Sequence, residues 1–261
     1  MKKPLIDVLF MSEKRKETLL LLQDGAKEME NLLTALDTTR AALLPQIRIL
    51  EEHHLVSQDG DTYELTPMGK LIVDEMSHLL SNVDALDADI DYWGSHKLDF
   101  LPPHLLKRIG EIGKCNTITP TVPKTHYILK QFHKSSKKSE VIYSINTFFH
   151  PNFIELFDDL VRNDVEIHFI LSQDLLDHMT EDYNKTFNSL INTNKFHFYL
   201  HPKNLGFMSL GVSKHHLMLT SLRKDGFFDN SRVLCNSQTA VEWGIELFNH
   251  YLNDSTIIDE V

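Results

Sequence analysis

Between Met29 and Thr66 the hydrophobic residues change period within a short span, and few folds accommodate the resulting order of elements. Met29, Leu32, Leu33 and Leu36 recur at i, i+3, i+4 and i+7, which predicts a short helix with one buried face. Asp37, Thr38 and Thr39 follow, and their side-chain oxygens can accept from the free N–H groups that open a second helix. That helix carries Leu43, Ile47 and Leu50 on its inner side and ends in Leu55-Val56. Next comes an alternating run with Asp59-Gly60 at its tip and Tyr63 and Leu65 on the return arm, the pattern of a β-hairpin. Helix, turn, helix and hairpin make a winged helix-turn-helix, an arrangement suited to laying its second helix in a DNA major groove.

The end of the second helix carries a resemblance. Ile-Arg-Ile-Leu-Glu-Glu followed by His53, His54, Leu55 and Val56 is similar to the end of the recognition helix in the arsenical-repressor-like (ArsR-like) winged-helix proteins. That family commonly has glycine where this chain has His54, because the helix end favours positive φ there. A left-handed His54 is therefore implied, and histidine tolerates that conformation better than a β-branched residue does.

With 261 residues and 42% apolar content, the chain can build two domains, each burying a core. Cys115 and Cys235 are the only cysteines, so a disulfide framework or a four-cysteine zinc site within one chain is excluded, and a reducing cytoplasm fits. The opening MKKPLIDVLFMSEKRKE resembles a signal peptide in its lysines and short apolar stretch. Charged residues follow at once without a small-residue cleavage site, so a first helix is expected instead. No run approaches the ~18 consecutive apolar residues of a spanning helix, and no membrane partner is expected.

A net charge of −11 argues against binding polyanions through the whole surface. Residues 1–70 are acidic too, with nine Lys and Arg against twelve Asp and Glu. Phosphate contact depends on one face rather than on the sum, and Lys2, Lys3, Lys14, Arg15, Lys16, Arg40 and Arg48 are the cations available to assemble there. Weak, strongly salt-sensitive affinity is expected.

Taking Thr38 or Thr39 as the cap, the recognition helix starts near Arg40 and presents Arg40, Ala41, Ala42, Leu44, Pro45, Gln46 and Arg48 outward. Arg40 and Arg48 suit phosphates or guanine edges, Gln46 suits adenine, and Ala41, Ala42 and Leu44 offer thymine methyl contacts at most. Pro45 removes a backbone donor past the first turn, a penalty of ~3 kcal/mol in a regular helix, so a bend is expected. On the wing, Gln58, Thr62 and Tyr63 are placed to reach backbone or minor groove, whereas Asp59 and Asp61 would be repelled by phosphate. An ordinary polar turn accounts for the same residues. Thr38, Thr39, Arg40, Ala41, Leu44, Gln46, Arg48, Gln58, Thr62 and Tyr63 form the expected DNA-binding set.

Thr66-Pro67 joins an N-cap to a proline at the first helical position. Beyond it Ile72, Met76, Leu79, Val83, Leu86 and Ile90 are spaced 4, 3, 4, 3, 4, a heptad seam that predicts a two-helix contact between subunits. A two-fold dimer would set two recognition helices about 34 Å apart on successive major grooves. The stretch DYWGSHKLDFLPPHLLKRIGEIGKCNTITPTVP then mixes turn residues with a short helix near Pro103 and reads as a structured connector. Its DYWxxHxLxxLPxxLLxRIGEI pattern, together with Arg40 to Pro45, resembles the archaeal winged-helix regulators of methanogens that carry a methanogenesis-regulatory domain, the filament-formation and methyltransferase-specific regulator group. This resemblance covers nearly the whole chain. The expected domains are a winged helix-turn-helix over residues 1–75, a dimerisation helix and linker over 76–124, and a regulatory domain over 125–261.

From Glu140 strands alternate with helices. Val141 to Asn146, Val165 to Leu171 and Lys195 to His201 read as strands, and Phe207 to Cys235 as an antiparallel stretch turning near Lys214 and Asp225-Gly226. His150 to Asn163 and Gln173 to Leu190 read as helices, the first with Phe153, Leu156, Phe157 and Leu160 inward. Ser237 caps a last helix to Asn253 with Ala240, Trp243, Leu247, Phe248 and Tyr251 as its buried stripe. The expected fold class is α+β, a winged helix with a long dimerisation helix followed by an α/β sandwich around a mixed sheet. This half also resembles the phospholipase-D-like sensor domains of some archaeal sugar regulators. The catalytic pattern of His, a spacer and Lys is broken, because Met218 stands two residues after His216, so a degenerate domain without phosphoesterase activity is implied.

On the strand KFHFYLH, His197, Tyr199 and His201 face one way, and His168 and Asn146 on neighbouring strands are candidates to join them in an effector site. A polar sheet face lying under a helix fits the same pattern. No metal or cofactor is assigned, since sequence does not show ligand geometry, and the adjacent pairs His53-His54 and His215-His216 point apart. No glycine-rich phosphate loop, Gly-x-Ser-x-Gly or His-Glu-x-x-His occurs, which argues against an enzyme. The expectation is a homodimeric transcription regulator of double-stranded DNA whose effector is a small molecule or a protein. A winged-helix protein-interaction module, or a metabolic enzyme with its site in the C-terminal half, are the alternatives.

Overall fold

The computed structural model describes residues 2–121, 130–149 and 152–258. Two compact units divide the chain, Met1–Leu80 and Ser81–Val261. In the first, the elements are α1 (Leu5–Phe10), α2 (Glu13–Leu21), β1 (Lys27–Glu28), α3 (Met29–Ala35), α4 (Arg40–Glu52), β2 (Val56–Asp59) and β3 (Thr62–Leu65), and α5 (Pro67–Asp87) begins there. The strands form a small antiparallel sheet in the order β1-β3-β2. Thr62 pairs with Asp59 across the wing tip, where Gly60 takes φ 60°.

Left-handed residues end both helices of the helix–turn–helix. After α3, Asp37 has φ 42°, its N–H reaches Thr34 O and that of Thr38 reaches Leu33 O at 3.1 Å. After α4, His54 has φ 57°, its N–H reaches Glu51 O at 2.8 Å and that of Leu55 reaches Leu50 O at 3.0 Å. Both are Schellman ends, which satisfy carbonyls that a helix otherwise leaves open. Thr39 is the N-cap of α4 but makes no side-chain cap bond, contrary to the expectation from its hydroxyl. The helix also continues unbroken through Pro45, with Ala41, the residue whose carbonyl loses its donor, at the exposed surface.

Leu43, Ile47 and Leu50 of α4 are fully buried with Leu19, Leu22, Met29, Leu32 and Leu55. At about 1.5–3 kcal/mol for each such side chain, this seam fixes which face of α4 turns outward. Thr66 caps α5 as its sequence predicts, accepting from Gly69 N at 3.0 Å. The heptad seam, however, is divided. Met76 is buried in the first unit's core and Ile72 packs against it, while Leu79 and Val83 are 52% and 49% exposed. Ile90 falls on a new helix, because α5 stops at Asp87 and Asp89 caps the next element by accepting from Tyr92 N.

The second unit contains α6 (Ile90–Ser95), α7 (Pro103–Leu106), β4 (Asn116–Ile118), α8 (Lys130–Ser136), β5 (Val141–Asn146), α9 (Phe153–Arg162), β6 (Glu166–Leu171), α10 (Gln173–Asp182), α11 (Asn184–Ile191), β7 (Phe196–Leu200), β8 (Ser209–Ser213), β9 (His216–Thr220), β10 (Arg232–Cys235), α12 (Gln238–Leu252) and β11 (Thr256–Ile258). Among the described residues the strands make one sheet in the order β11-β7-β6-β5-β8-β9-β10-β4, parallel through β5, β6 and β7 and antiparallel elsewhere. The single helix expected over 173–190 is broken at Tyr183 into α10 and α11. Of the helix expected from His150, that residue lies outside the described ones, and so does the end of the connector beyond Thr121.

Helix α12 presents the expected stripe of Ala240, Trp243, Leu247, Phe248 and Tyr251 to one sheet face, and Ser237 caps it. The residues between 90 and 112 pack into that same core. Trp243 Nε1 donates to Leu105 O at 3.1 Å, and Tyr251 OH donates to Phe100 O at 2.7 Å. On the opposite face, α9, α10 and α11 bury Phe157, Leu175 and Phe187 against Phe169 and Phe198. Cys115 and Cys235 are joined by a disulfide with Cα atoms 4.5 Å apart. Lying one step beyond the register pair Asn116 and Leu234, they are brought together by the antiparallel β4–β10 ladder, which nothing in their separation of 120 residues announces.

Candidate functional site

The outward face of α4 carries Arg40, Ala41, Pro45 and Arg48 exposed, with Ala42, Leu44 and Gln46 half-buried. Thr39 is exposed, and Thr38 is half-buried and accepts from Lys14 Nζ at 2.8 Å. Gln46 Oε1 accepts from Arg15 at 2.8 Å, which holds its amide against α2. Arg15 itself is a correction to the sequence reading. It is 5% exposed and donates to Val8 O at 2.7 Å and Asp7 O at 3.1 Å, so it ties α1 to α2 and does not stand on the phosphate-facing surface.

Arg40 Nη1 and Nη2 both donate to the Asp61 carboxylate, joining the start of α4 to the wing tip. That contact raises the guanidinium's proton affinity further. Asp61, expected only to repel phosphate, thus also fixes the Arg40 fork. Arg48 makes no ion pair among the described residues. On the wing, Gln58 Nε2 donates to Gly60 O at 2.6 Å, and Thr62 is half-buried. Tyr63 is another correction: it is fully buried in the first unit's core and cannot reach a groove, and burial raises its phenol pKa.

In the second unit the expected effector residues separate. Register places Tyr143, His168 and His197 in one row across β5, β6 and β7, with ring centroids 5.5 and 4.7 Å apart. Glu166 Oε1 accepts from both His168 Nε2 and His197 Nε2 at 3.1 Å, and Tyr199 OH lies 3.0 Å from His168 Nδ1. Burial is the first cause of a lowered pKa at His168, with His197 adding to it. His201 is buried nearer α12, its Nδ1 3.3 Å from Ser255 Oγ. Asn146 does not join them. It shares parity with Ile142 and Ser144, donates to Ser144 Oγ at 2.7 Å, and faces the other side of the sheet. Glu166, overlooked in the sequence, was marked by its place two residues before His168 on the same strand face.

Asn146 instead lines a cavity of about 130 Å³ with Ile142, Ser144, Phe153, Met218 and Thr220 among its walls. Gly211 lies beside it, and a Cβ there would stand 2.8 Å from the Phe132 ring, which would have to shift. The walls are largely apolar, with a few hydroxyl and amide groups, the His133 imidazole and the Arg232 guanidinium. That composition suits a small organic ligand with polar groups better than a bare metal cation. No described helix is long and apolar enough to cross a membrane.

The buried seam of Leu43, Ile47 and Leu50, an outward helix face and an adjoining β-wing define the first unit as a winged helix-turn-helix, here followed by a mixed-sheet α/β unit. Residues 125–254 match the family model of the methanogenesis regulatory protein FilR1, middle domain, and residues 5–88 match that of the HVO_A0261 N-terminal domain. By these two matches the chain is similar to the archaeal regulators that carry this methanogenesis regulatory domain. The curated methanogenesis regulatory protein FilR1 of Methanothrix harundinacea (strain 6Ac) is 25% identical over 262 residues, which cover 98% of this chain. The match spans 58% of that relative's length. Among solved structures, TrmBL2, an archaeal chromatin protein with a novel mode of DNA binding, has a TM-score of 0.45 at 12% identity over 97% of this chain and 98% of its own. Nuc of Salmonella typhimurium, a phospholipase D family member, has a TM-score of 0.37 at 10% identity over 50% of this chain and 90% of its own.

Proposed function

We propose that the chain is a transcription regulator that reads double-stranded DNA with α4 and the β2–β3 wing, and is not an enzyme. The observation that carries this is the outward face of α4, where Arg40, Ala41, Pro45 and Arg48 stand exposed beside the wing while Leu43, Ile47 and Leu50 anchor the opposite side. Arg48 and Arg40 supply phosphate or guanine contacts, the alanines give methyl contacts, and the remaining discrimination comes from DNA shape. The regulatory name of the curated relative agrees with this reading.

Two copies pair through α5 in this proposal. Met68, Leu79 and Val83, at spacings that place them on one line of the helix, remain 41–52% exposed, an apolar stripe that a second copy would cover. A ligand about the size of a single ring, with one hydrogen-bonding group, occupies the cavity beside Asn146 and shifts the affinity for the operator. A comparable cavity of about 150 Å³ takes benzene. The effect on DNA then equals, by linkage, the effect of DNA on ligand affinity.

Electrophoretic mobility with source-genome fragments, repeated at two salt concentrations, tests the reading. A sequence-selective shift that weakens as salt rises is expected. Equal retardation of all fragments, or none at low salt, overturns it, and binding of a protein partner without DNA would favour the interaction-module alternative. Leu79→Glu combined with Val83→Glu is expected to turn the dimer into a monomer in light scattering. A wild-type chain that is already monomeric overturns the pairing.

A further inference from the structure

We propose that Glu166, His168 and His197 form a binding site for one divalent transition-metal ion of the zinc class, open to solvent on one side. The inference is independent of DNA binding, because all three residues lie on β6 and β7 within the second unit. Glu166 and His168 are two residues apart on one strand and therefore share a face, and His197 is the register partner of His168 on the next.

The potential ligand atoms of the three side chains lie within 4.8 Å of one another, and the carboxylate oxygen is 3.1 Å from each Nε2. In a tetrahedral zinc site with bonds of about 2.0–2.1 Å, ligand atoms stand about 3.3–3.4 Å apart. Two edges of the ligand triangle are thus close to the length that coordination requires, and small side-chain rotations suffice to set them. Both imidazoles aim the same nitrogen at one point, so in the tautomer with the proton on Nδ1 two Nε2 lone pairs and a carboxylate oxygen converge. Two neutral imidazoles and a carboxylate are a borderline donor set, suited to zinc and its first-row neighbours.

The surroundings complete the case. Tyr199 OH, 3.0 Å from His168 Nδ1, is placed to accept from that nitrogen once Nε2 coordinates, the outer hydrogen bond that fixes a ligating imidazole's tautomer and orientation. Tyr143 stacks along His168 on the flank away from His197. Glu166 forms no pair with a Lys or Arg among the described residues, since neighbouring Lys195 is held by Asp164 at 2.9 Å. Exposures of 22%, 32% and 40% for His168, His197 and Glu166 leave a route for the ion and a coordination position for water.

The full chain, stripped with chelator, is titrated with zinc chloride by calorimetry and with cobalt(II) by visible absorption. One tight equivalent per chain and the d–d bands of a four- or five-coordinate ion are expected. His168→Ala with His197→Ala is expected to abolish the tight equivalent, Glu166→Gln to weaken it at least tenfold, and Tyr199→Phe by about tenfold. His201→Ala, on the same strand face, is expected to leave it unchanged. With fifteen histidines in the chain, weak background sites are the control. Histidine-selective NMR of the unmodified protein gives a readout independent of any variant: at one equivalent of zinc, only the His168 and His197 imidazoles shift. The absence of a tight equivalent, its survival in the folded double variant, or a shift confined to other imidazoles overturns the proposal.

Discussion

The first unit ties its cations into its own hydrogen-bond network, whereas the second gathers imidazoles around one carboxylate. Arg15 donates inward to Val8 and Asp7, while Lys14 donates to Thr38 and Arg40 to Asp61, so a phosphate approaching the start of α4 meets cations that already have partners. Around Glu166 the donors are two histidines with perturbable protons. Net charge is consequently a poor guide to either place. What counts in the first is which cations still face outward, and in the second which residues the strand register sets side by side.

The contrast can be broken at several points, the largest effect coming from the second unit's core. Trp243→Ala removes a fully buried ring and the donor to Leu105 O, and is expected to destabilise that unit by about 3–5 kcal/mol in urea titration. A loss below about 1 kcal/mol would show that α12 is not its anchor. Arg15→Ala comes next, taking the donor from the buried Val8 carbonyl at about 1–3 kcal/mol. If Arg15 were instead a phosphate ligand, stability would hold while DNA affinity fell, and the division drawn between inward and outward cations would collapse.

Freeing an engaged cation sharpens the comparison. Asp61→Asn is expected to raise DNA affinity a few-fold, because an exposed ion pair is weak and its loss frees the Arg40 guanidinium. Arg48→Ala is expected to reduce the slope of log affinity against log salt by about 1. Fluorescence anisotropy over a salt series reads both. Unchanged affinity in Asp61→Asn would mean that Arg40 does not meet the nucleic acid.

The smallest effect is one of pH. His168, His201 and His216 all have pKa values lowered from 6.5, with burial the first cause at each. The unfolded chain takes up these protons near 6.5, the folded chain only at lower pH, so unfolding binds protons in between and stability falls as pH drops through that window. Urea midpoints measured on both sides of 6.5 check the sign. A chain more stable at the acid end would contradict the burial of these rings.

Local pattern was enough for much of the architecture. The Asp37 and Thr66 turns, the left-handed His54, the strand at 141–146 and the Ser237 cap depend on residues within one turn or one strand, and each could be read in place. Tyr63 shows where a legible signal was overlooked, because it shares a strand face with Leu65 and had to point inward with it. Asn146 shows where none existed: its parity relative to His168 depends on the β5–β6 register, which no local pattern fixes. Arg15 depends on how α1 folds back on α2, and the Cys115–Cys235 bridge on contacts between segments far apart in sequence.

The bridge also changes what a cut chain looks like. Because Cys115 and Cys235 enclose 120 residues of separation, hydrolysis of any peptide bond lying between them leaves both products covalently attached. A preparation nicked there would migrate as one species in a denaturing gel and resolve into two peptides only after thiol is added. Apparent intactness of the oxidised chain therefore says nothing about the continuity of its backbone across most of the large sheet.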